Sequence, residues 1–152
     1  MKAVIRPYQP ADFDAIVILW RVARELSLPD IQLRKGHALF EDIAYLREHV
    51  LPRNQVWVAQ DESGHPIGFM AMQADFIDLL YIHPEHWRKG LGGLFLEHAR
   101  RLSPAHLWLY TLQVNTNARA FYEKNGFRAV EFGTSPPPEN EPDVKYAWAP
   151  GI

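Results

Sequence analysis

The stretch Leu80–Gly93, LYIHPEHWRKGLGG, carries a run of apolar residues into a turn with three glycines. Residues 76–82, FIDLLYI, read as a strand, and Pro84 ends it because proline has no N–H to donate to a sheet. One helix face is predicted after the turn, with members Leu91, Leu94, Phe95, His98 and Leu102. The sequence therefore predicts a strand, a glycine turn and a helix in immediate succession.

The glycine turn has the composition of a phosphate site. Gly90, Gly92 and Gly93 have no side chains, so several backbone N–H groups can converge on one anion at the start of the helix. Arg88 and Lys89 add positive charge, and the helix dipole adds about half an elementary charge. A pyrophosphate fits these features, and a plain tight turn with glycines for close packing fits the glycines equally well.

Two other phosphate motifs do not match this turn. A P-loop needs a lysine followed by serine or threonine after its second glycine, whereas Gly92 is followed by Gly93 and Leu94. A dinucleotide-binding fingerprint needs glycine or alanine at position 95, where Phe95 stands. The sequence therefore disfavours both a P-loop nucleotide site and NAD binding.

Strand and helix signals continue on the N-terminal side of this unit. Residues 3–5 predict a short strand, residues 27–54 predict helix and loop, and residues 56–60 and 66–72 predict a hairpin around the turn 61–64. Asp12 can cap a first helix whose apolar positions recur at helical spacing, namely Ile16, Leu19, Trp20, Ala23 and Leu26.

On the C-terminal side, residues 107–114 predict a buried strand and residues 117–125 a helix closed by Gly126 at its C′ position. Residues 127–132 and 144–148 predict two final strands. The order of elements indicates one mixed α/β domain over residues 1–152.

Composition narrows the function classes. The 152 residues include no cysteine, which excludes a thiolate metal site and a cysteine nucleophile. A formal net charge of -2 with interspersed signs gives no broad basic face, so we expect no nucleic-acid partner. No signal-peptide stretch and no run of 18 apolar residues occurs, so we expect a cytoplasmic protein without a membrane partner.

Two motifs resemble the GNAT acetyltransferase superfamily, and the order of elements does so across nearly the whole chain. The first motif is residues 80–92, which look like the family's strand, proline and [Gln/Arg]-x-x-Gly-x-[Gly/Ala] pattern, with Trp87 in place of the first polar residue. The second is residues 115–127, NTNARAFYEKNGF, which is similar to the family's second cofactor-facing segment.

The resemblance implies a fold, a cofactor and a reaction. The fold is a sheet of about six to seven strands, mostly antiparallel, with a central parallel pair splayed around the cofactor and about four flanking helices. The cofactor is acetyl-CoA, and the reaction is direct transfer of its acetyl group to a primary amine of a small molecule or peptide in a ternary complex. A non-catalytic acyl-CoA-binding regulatory module is the alternative.

The resemblance also implies cofactor-binding residues. Leu80 and Ile82 pair by backbone with the pantetheine arm, the amides of residues 87–92 hold the phosphates, Asn115 hydrogen-bonds the cofactor, and Trp87 covers it. The full set is Leu80, Tyr81, Ile82, Trp87, Arg88, Lys89, Gly90, Leu91, Gly92, Gly93, Asn115, Ala118, Phe121 and Tyr122. We further expect a bulky residue at Gly92 to abolish CoA binding while leaving the fold intact.

Two residues are candidates for proton transfer. The resemblance implies that Tyr122 lies beside the cofactor sulfur, where a phenol can protonate the leaving thiolate. Asp78 is the only acid in the strand 76–82, and strand alternation places it on the face of Leu80 and Ile82 unless a bulge reverses the parity. A surface role for Asp78 remains open, as do His83, Glu85 or a tyrosine of the irregular region as the base.

Other features remain open in the sequence. His83 and His86 have a spacing that can suit a metal, but they flank Pro84 in a loop, so we predict no metal site. We expect residues 27–50 and the loop around 133–143 to choose the acceptor. The sequence is compatible with a monomer or a homodimer.

Overall fold

Seven strands and five α-helices make up the computed structural model, which describes residues 3–151. The strands are β1 (Val4–Pro7), β2 (Gln55–Gln60), β3 (Pro66–Gln73), β4 (Phe76–Ile82), β5 (Leu107–Leu112), β6 (Arg128–Thr134) and β7 (Pro142–Trp148). The helices are α1 (Phe13–Ser27), α2 (Pro29–Lys35), α3 (Leu39–Tyr45), α4 (Leu91–Leu102) and α5 (Thr116–Lys124). Short 3₁₀ turns lie at Pro10–Asp12 and Pro84–His86, and one π-helical turn lies at Leu46–Val50.

The strands form one sheet in the order β1-β2-β3-β4-β5-β7-β6. Every neighbouring pair is antiparallel except β4 and β5, which are parallel. This confirms the predicted mixed sheet with one central parallel pair. The helices number five rather than about four, because the irregular region contains both α2 and α3.

Apolar side chains cover both faces of the sheet. On one face, Phe95 and Leu96 of α4 and Tyr122 of α5 pack with residues of β3, β5 and β7. On the other, Leu19 and Trp20 of α1 pack with the π-helical turn and with the opposite sides of β2 and β3. These two layers of side chains cover the sheet on both faces and hold its central strands in place.

Two helix faces differ from the expectation. In α4 the buried residues are Leu91, Phe95, Leu96 and Ala99, whereas the predicted members Leu94 and Leu102 are 41% and 42% exposed. In α1 the predicted positions Ile16, Leu19, Trp20 and Ala23 are buried, but the fifth, Leu26 in the last turn, is 61% exposed. Both errors follow from assigning every large apolar residue to the core, although surfaces routinely carry them.

A buried carboxylate fixes α3 against α1. Asp42 is 1% exposed and accepts from Arg21 Nη1 and Arg24 Nη2, each at 2.5 Å. The Arg24 guanidinium also lies 3.9 Å from the centre of the Trp20 ring. These charge-assisted contacts hold the segment before β2 in one position over the sheet.

Among residues 3–151, no helix is long and apolar enough to cross a membrane.

Candidate active site

The parallel strands β4 and β5 meet at one end and diverge from there. In the described chain they are aligned as partners only at Phe76 and Trp108. Asp75 holds this closed end: its carbonyl accepts from the Trp108 N–H at 3.0 Å, its Oδ1 from Trp108 Nε1 at 3.0 Å, and its Oδ2 lies 2.9 Å from His106 Nδ1. The result is a cleft that opens toward the carboxyl ends of the two strands.

The edge of β4 that faces this cleft presents backbone groups of Leu80 and Ile82. The His83 N–H donates to the Ile67 carbonyl at 2.9 Å, and Tyr81 is paired with Phe69 of β3. Because backbone groups of successive residues point to opposite edges of a strand, those of Leu80 and Ile82 point into the cleft. An extended ligand can therefore pair with β4 where β5 has departed.

Trp87 lies at the mouth of the cleft and is tied to β4. Its indole Nε1 donates to the Ile82 carbonyl at 2.8 Å, and the residue is 37% exposed. The side chain that replaces the family's polar residue therefore folds back onto the end of the strand. It occupies one acceptor position of a carbonyl that points into the cleft.

The glycine turn leads directly into α4. Gly90 is the N-cap with φ +84°, and Arg88 also has a positive φ of +63°. The Leu94 N–H closes the first turn on the Gly90 carbonyl at 3.2 Å, and no side chain caps the helix. The N–H groups of residues 91–93 therefore lack intrahelical partners and form a positive site for an anion.

The two sequence motifs touch at Gly92. A Cβ added at Gly92 would lie 2.7 Å from Phe121 Cζ, too close for any real contact, so the ring of Phe121 depends on the missing side chain. Phe121 and Ala118 pack in turn against the main core cluster. A bulky residue at Gly92 must therefore displace the Phe121 ring, and the expectation that the fold stays intact in such a variant remains a prediction.

Both ends of α5 are capped. Asn115 Oδ1 accepts from the Ala118 N–H at 3.1 Å. At the other end Gly126 has φ +88°, its N–H donates to the Glu123 carbonyl at 3.2 Å, and the Phe127 N–H donates to the Tyr122 carbonyl at 3.0 Å. This is the Schellman arrangement that Gly126 predicted. The cap engages one acceptor position of Asn115 Oδ1 and leaves Nδ2 available as a donor to a ligand.

Tyr122 is buried beside the cleft. It is 8% exposed, and its ring lies 5.1 Å from Phe121, 5.6 Å from Phe127 and 6.1 Å from Tyr146, measured between centroids. Burial, reinforced by the Tyr81 phenol across the cleft, raises the pKa of Tyr122 well above that of a free phenol. Its hydroxyl therefore stays protonated at any physiological pH.

Asp78 occupies a β-bulge. The pairing of β3 with β4 runs from Ala71 with Leu79 to Met72 with Ile77, so Asp78 is the extra residue. The shared face expected for Asp78, Leu80 and Ile82 is wrong: Leu80 and Ile82 pack on the α4 side, whereas Asp78 Oδ2 accepts from Asn54 Nδ2 at 3.1 Å on the side of the π-helical turn. The bulge turns the carboxylate to the opposite face of the sheet from Tyr122.

Burial also affects the ionisation of Asp78. Loss of water raises the pKa of the Asp78 carboxyl, and the Asn54 hydrogen bond and the charge of Arg53 oppose that rise. Tyr45 lies within reach of the same carboxylate: burial chiefly raises the pKa of Tyr45, and the negative charge of Asp78 adds to the rise. The carboxylate is thus a partly desolvated base.

An aromatic wall lines the approach to Asp78. The Trp20 ring lies 6.0 Å from Tyr45 and 6.5 Å from Tyr81 between centroids. Glu139, in the loop between β6 and β7, acts electrostatically on both phenols. Tyr45 and Glu139 belong to the two segments expected to choose the acceptor, residues 27–50 and the loop around 133–143.

Sequence reasoning missed Asn54 and did not single out Tyr45. Tyr45 falls among the unspecified tyrosines of the irregular region, and its place in a helical pattern gives no sign of a nearby acid. Asn54 directly precedes β2 and follows Arg53, where nothing in the local pattern points to Asp78, which is 24 residues away along the chain. The antiparallel pairing of β2, β3 and β4 is what brings Asn54 close to Asp78.

The His83 and His86 rings are 6.3 Å apart, and His83 Nδ1 accepts from the Glu85 N–H at 3.2 Å. Over residues 3–151 no group of three or more His, Asp or Glu side chains could hold a metal ion.

Comparisons with known proteins agree with this geometry. A family model for an acetyltransferase (GNAT) domain matches residues 52–129, which span both motifs and the cleft. The chain is 28% identical over 130 residues to peptidyl-lysine N-acetyltransferase YjaB of Salmonella typhimurium, covering 86% of each chain. It is 30% identical over 129 residues to peptidyl-lysine N-acetyltransferase YiaC of Escherichia coli, covering 84% of this chain and 85% of that one.

Solved structures show the same fold. The solution structure of apo-form YjaB from Escherichia coli matches with a TM-score of 0.83 and 25% identity, covering 97% of this chain and 98% of that one. The chain therefore belongs to the GNAT acetyltransferase family, and it is an acetyltransferase that moves the acetyl group of acetyl-CoA to an amine.

Proposed function

We propose that the protein acetylates lysine side chains of peptides or proteins by direct transfer in a ternary complex. The observation that carries this proposal is that a phenol, Tyr122, and a carboxylate, Asp78, lie on opposite faces of the sheet near the β4–β5 cleft. Tyr122 lies on the α5 side and Asp78 on the side of the π-helical turn. A thioester held in the cleft then has an acid at its sulfur and a base on the side from which an amine can enter.

Two separate sets of groups bind the two halves of the cofactor in the proposal. The N–H groups of residues 88–92, with the side chains of Arg88 and Lys89, bind the phosphates at the start of α4, whereas the Trp87 N–H already donates to the Pro84 carbonyl at 3.2 Å. The cleft-facing backbone groups of Leu80 and Ile82 bind the extended arm, and Asn115 Nδ2 adds a donor near α5. Support for this fit comes from the diverging strands and the uncapped helix start.

A lysine ammonium must lose a proton before it can react. With a free pKa near 10.4, roughly one in a thousand lysine side chains is neutral at about pH 7.4, so a base near the amine increases the reactive fraction. In the proposal Asp78 accepts this proton, directly or through one water. Its partial burial strengthens it as a base, and the negative charge attracts the ammonium.

Bound acetyl-CoA supplies a thioester, whose C–S bond breaks as the amine nitrogen forms the new C–N bond. Tyr122 holds a proton on its hydroxyl and gives it to the departing sulfur. After the transfer, Asp78 releases its proton to water and Tyr122 takes up a proton from water, so both groups return to their starting states. Because the chain has no cysteine, no acyl-enzyme through sulfur forms.

A peptidyl lysine as acceptor has two supports. Two relatives carry the name peptidyl-lysine N-acetyltransferase. In addition, Asp78 and Glu139 place negative charge around the phenols of Tyr45 and Tyr81 on the acceptor side. Carboxylates favour a cation, and aromatic faces accept the aliphatic stem of a lysine.

The test is thiol release from acetyl-CoA with a lysine-containing peptide whose N-terminus is blocked. The matched control is the same peptide with its lysine already Nε-acetylated. We expect release only with the free lysine, together with a mass gain of one acetyl group on the peptide and intersecting initial-rate plots. Tight CoA binding without thiol release from peptide or small amines would favour the non-catalytic regulatory module instead, and parallel plots would contradict direct transfer.

A further inference from the structure

The side-chain amide of Asn54 bridges two acceptors behind the proposed base. Its Nδ2 donates to the Val50 carbonyl at 2.9 Å and to Asp78 Oδ2 at 3.1 Å. The Val50 oxygen can only accept, so the NH₂ group and not the carbonyl of Asn54 must face it. The orientation of the amide is therefore fixed by chemistry, and one of its two protons points at Asp78.

We propose that Asn54 is a positioning residue for the base, which fixes Asp78 Oδ2 against the π-helical turn and leaves Oδ1 to receive the proton of the acceptor amine. This inference rests on the proposed role of Asp78. Asn54 itself touches neither the amine nor the acetyl group; it acts through the carboxylate.

The anchor behind Asn54 is rigid. Val50 is 1% exposed and ends the π-helical turn, which the Leu51 N–H closes on the Leu46 carbonyl at 2.9 Å. Asp78, in contrast, is the extra residue of a bulge and has no β3 residue opposite it. An exposed carboxylate on such a residue would rotate freely, whereas the bond from Asn54 holds it in one rotamer.

The bond also favours the basic form. Nδ2 donates, so it stabilises an ionised Oδ2 and is lost when that oxygen carries a proton. The other groups that face Asp78 are Arg53, whose charge also favours ionisation, and the phenols of Tyr45 and Tyr81. Glu139 faces the same two phenols from the β6–β7 loop and adds negative charge there.

Asn54 carries a cost that an apolar residue would avoid. Its Oδ1 is buried and has no hydrogen-bond partner among the described residues. A buried acceptor without a partner destabilises a fold, so this cost is offset by the two bonds of the NH₂ group, to the Val50 carbonyl and to Asp78.

The experiment compares the pH dependence of kcat/KM for the wild type, Asn54→Leu, Asp78→Asn and the double variant. We expect Asn54→Leu to move the acid limb to higher pH by about one unit, the usual size of one lost charge-assisted bond. Asp78→Asn should remove that limb, and Asn54→Leu should then cause no further shift and little further loss. Asn125→Leu is the matched control, since it removes an Nδ2-to-carbonyl bond of 2.9 Å that involves no carboxylate.

Two results would overturn the proposal. One is an unmoved acid limb in Asn54→Leu. The other is an equal loss of rate at every pH, repeated in the Asp78→Asn background, which indicates a purely structural role. If Asp78→Asn keeps the wild-type limb, the base assignment fails and the role of Asn54 fails with it, while thiol release still supports acetyl transfer.

A second measurement needs no turnover. The Asp78 carboxyl carbon can be titrated by NMR in the free protein, with the wild type and Asn54→Leu compared directly. We expect a higher midpoint in the variant, and an identical midpoint would contradict the proposal. Should Asn54→Leu fail to fold, Asn54→Ala removes the same donor without adding another and takes its place in both experiments.

Discussion

At the scale of single residues, Tyr122 joins a structural and a chemical role that one substitution separates. Its ring packs among Phe121, Phe127 and Tyr146, and only its hydroxyl can donate a proton. In Tyr122→Phe we expect kcat to fall by about 10² or more, the usual range for a lost general acid, with CoA affinity nearly unchanged. Steady-state kinetics and calorimetry with CoA measure the two effects, and full turnover by a well-folded variant would refute the acid role.

Asp12 gives a prediction for stability rather than catalysis. It is 5% exposed, accepts two bonds of 2.8 Å from Arg6, and these bonds chiefly hold the pKa of Asp12 below its usual value. A lowered folded-state pKa stabilises the fold above the unfolded pKa of about 3.9, and this stability is lost as the pH falls through the folded value.

We therefore expect Asp12→Asn to lower the free energy of unfolding by about 2 kcal/mol at pH 7. The gap to the wild type should close as the pH falls below the unfolded value of about 3.9 and through the lower folded-state pKa of Asp12, where the wild-type carboxylate is also neutral. Urea unfolding of both proteins at pH 7 and at acid pH measures the difference in the free energy of unfolding. A difference that stays constant with pH would show that the charge of Asp12 contributes nothing.

At the scale of elements, the contact between α4 and α5 depends on a glycine. A Cβ at Gly92 would lie 2.7 Å from Phe121 Cζ, whereas one at Gly93 would meet nothing within 4 Å. We expect Gly92→Ala to lower stability by about 1–3 kcal/mol through overpacking and to weaken CoA binding, because Phe121 pushes back on the helix start. The matched variant Gly93→Ala should keep the wild-type stability. Equal melting temperatures for Gly92→Ala and the wild type would contradict this packing account.

The elements differ in how far local pattern determines them. The turn at 61–64, the proline after β4 and Gly126 after α5 are strong local signals, and the structure has strand or helix boundaries at each. The buried side of α4 was misread because Leu94 and Leu96 are equally apolar in sequence, and only the position of the sheet decides between them. Residues 27–54 form two helices and a π-helical turn, and no N-cap side chain marks where these elements begin.

At the scale of the whole molecule, the divergence of β4 from β5 is what would let both faces of the sheet take part in the proposed site. The glycine turn and the second motif are local in the chain and could be predicted from it, whereas the parallel pair, which joins Phe76 to Trp108, was implied by the family resemblance. The sequence did not place Asp78 correctly, since a bulge of one residue reverses the face of a side chain without altering the apolar pattern. Asn54 was missed for a related reason: its partner is set by strand pairing, which local periodicity does not encode.

In the proposed complex, acetyl-CoA lies between β4 and β5 with its phosphates on the amides at the start of α4. The most direct test follows backbone amide signals by NMR as CoA is added to the free protein. We predict saturable shifts for residues 87–92 and for Leu80 and Ile82, while the outer strands β1 and β6 keep their signals. Saturable binding that leaves the amide signals of β4 and of the glycine turn unchanged would contradict this placement of acetyl-CoA.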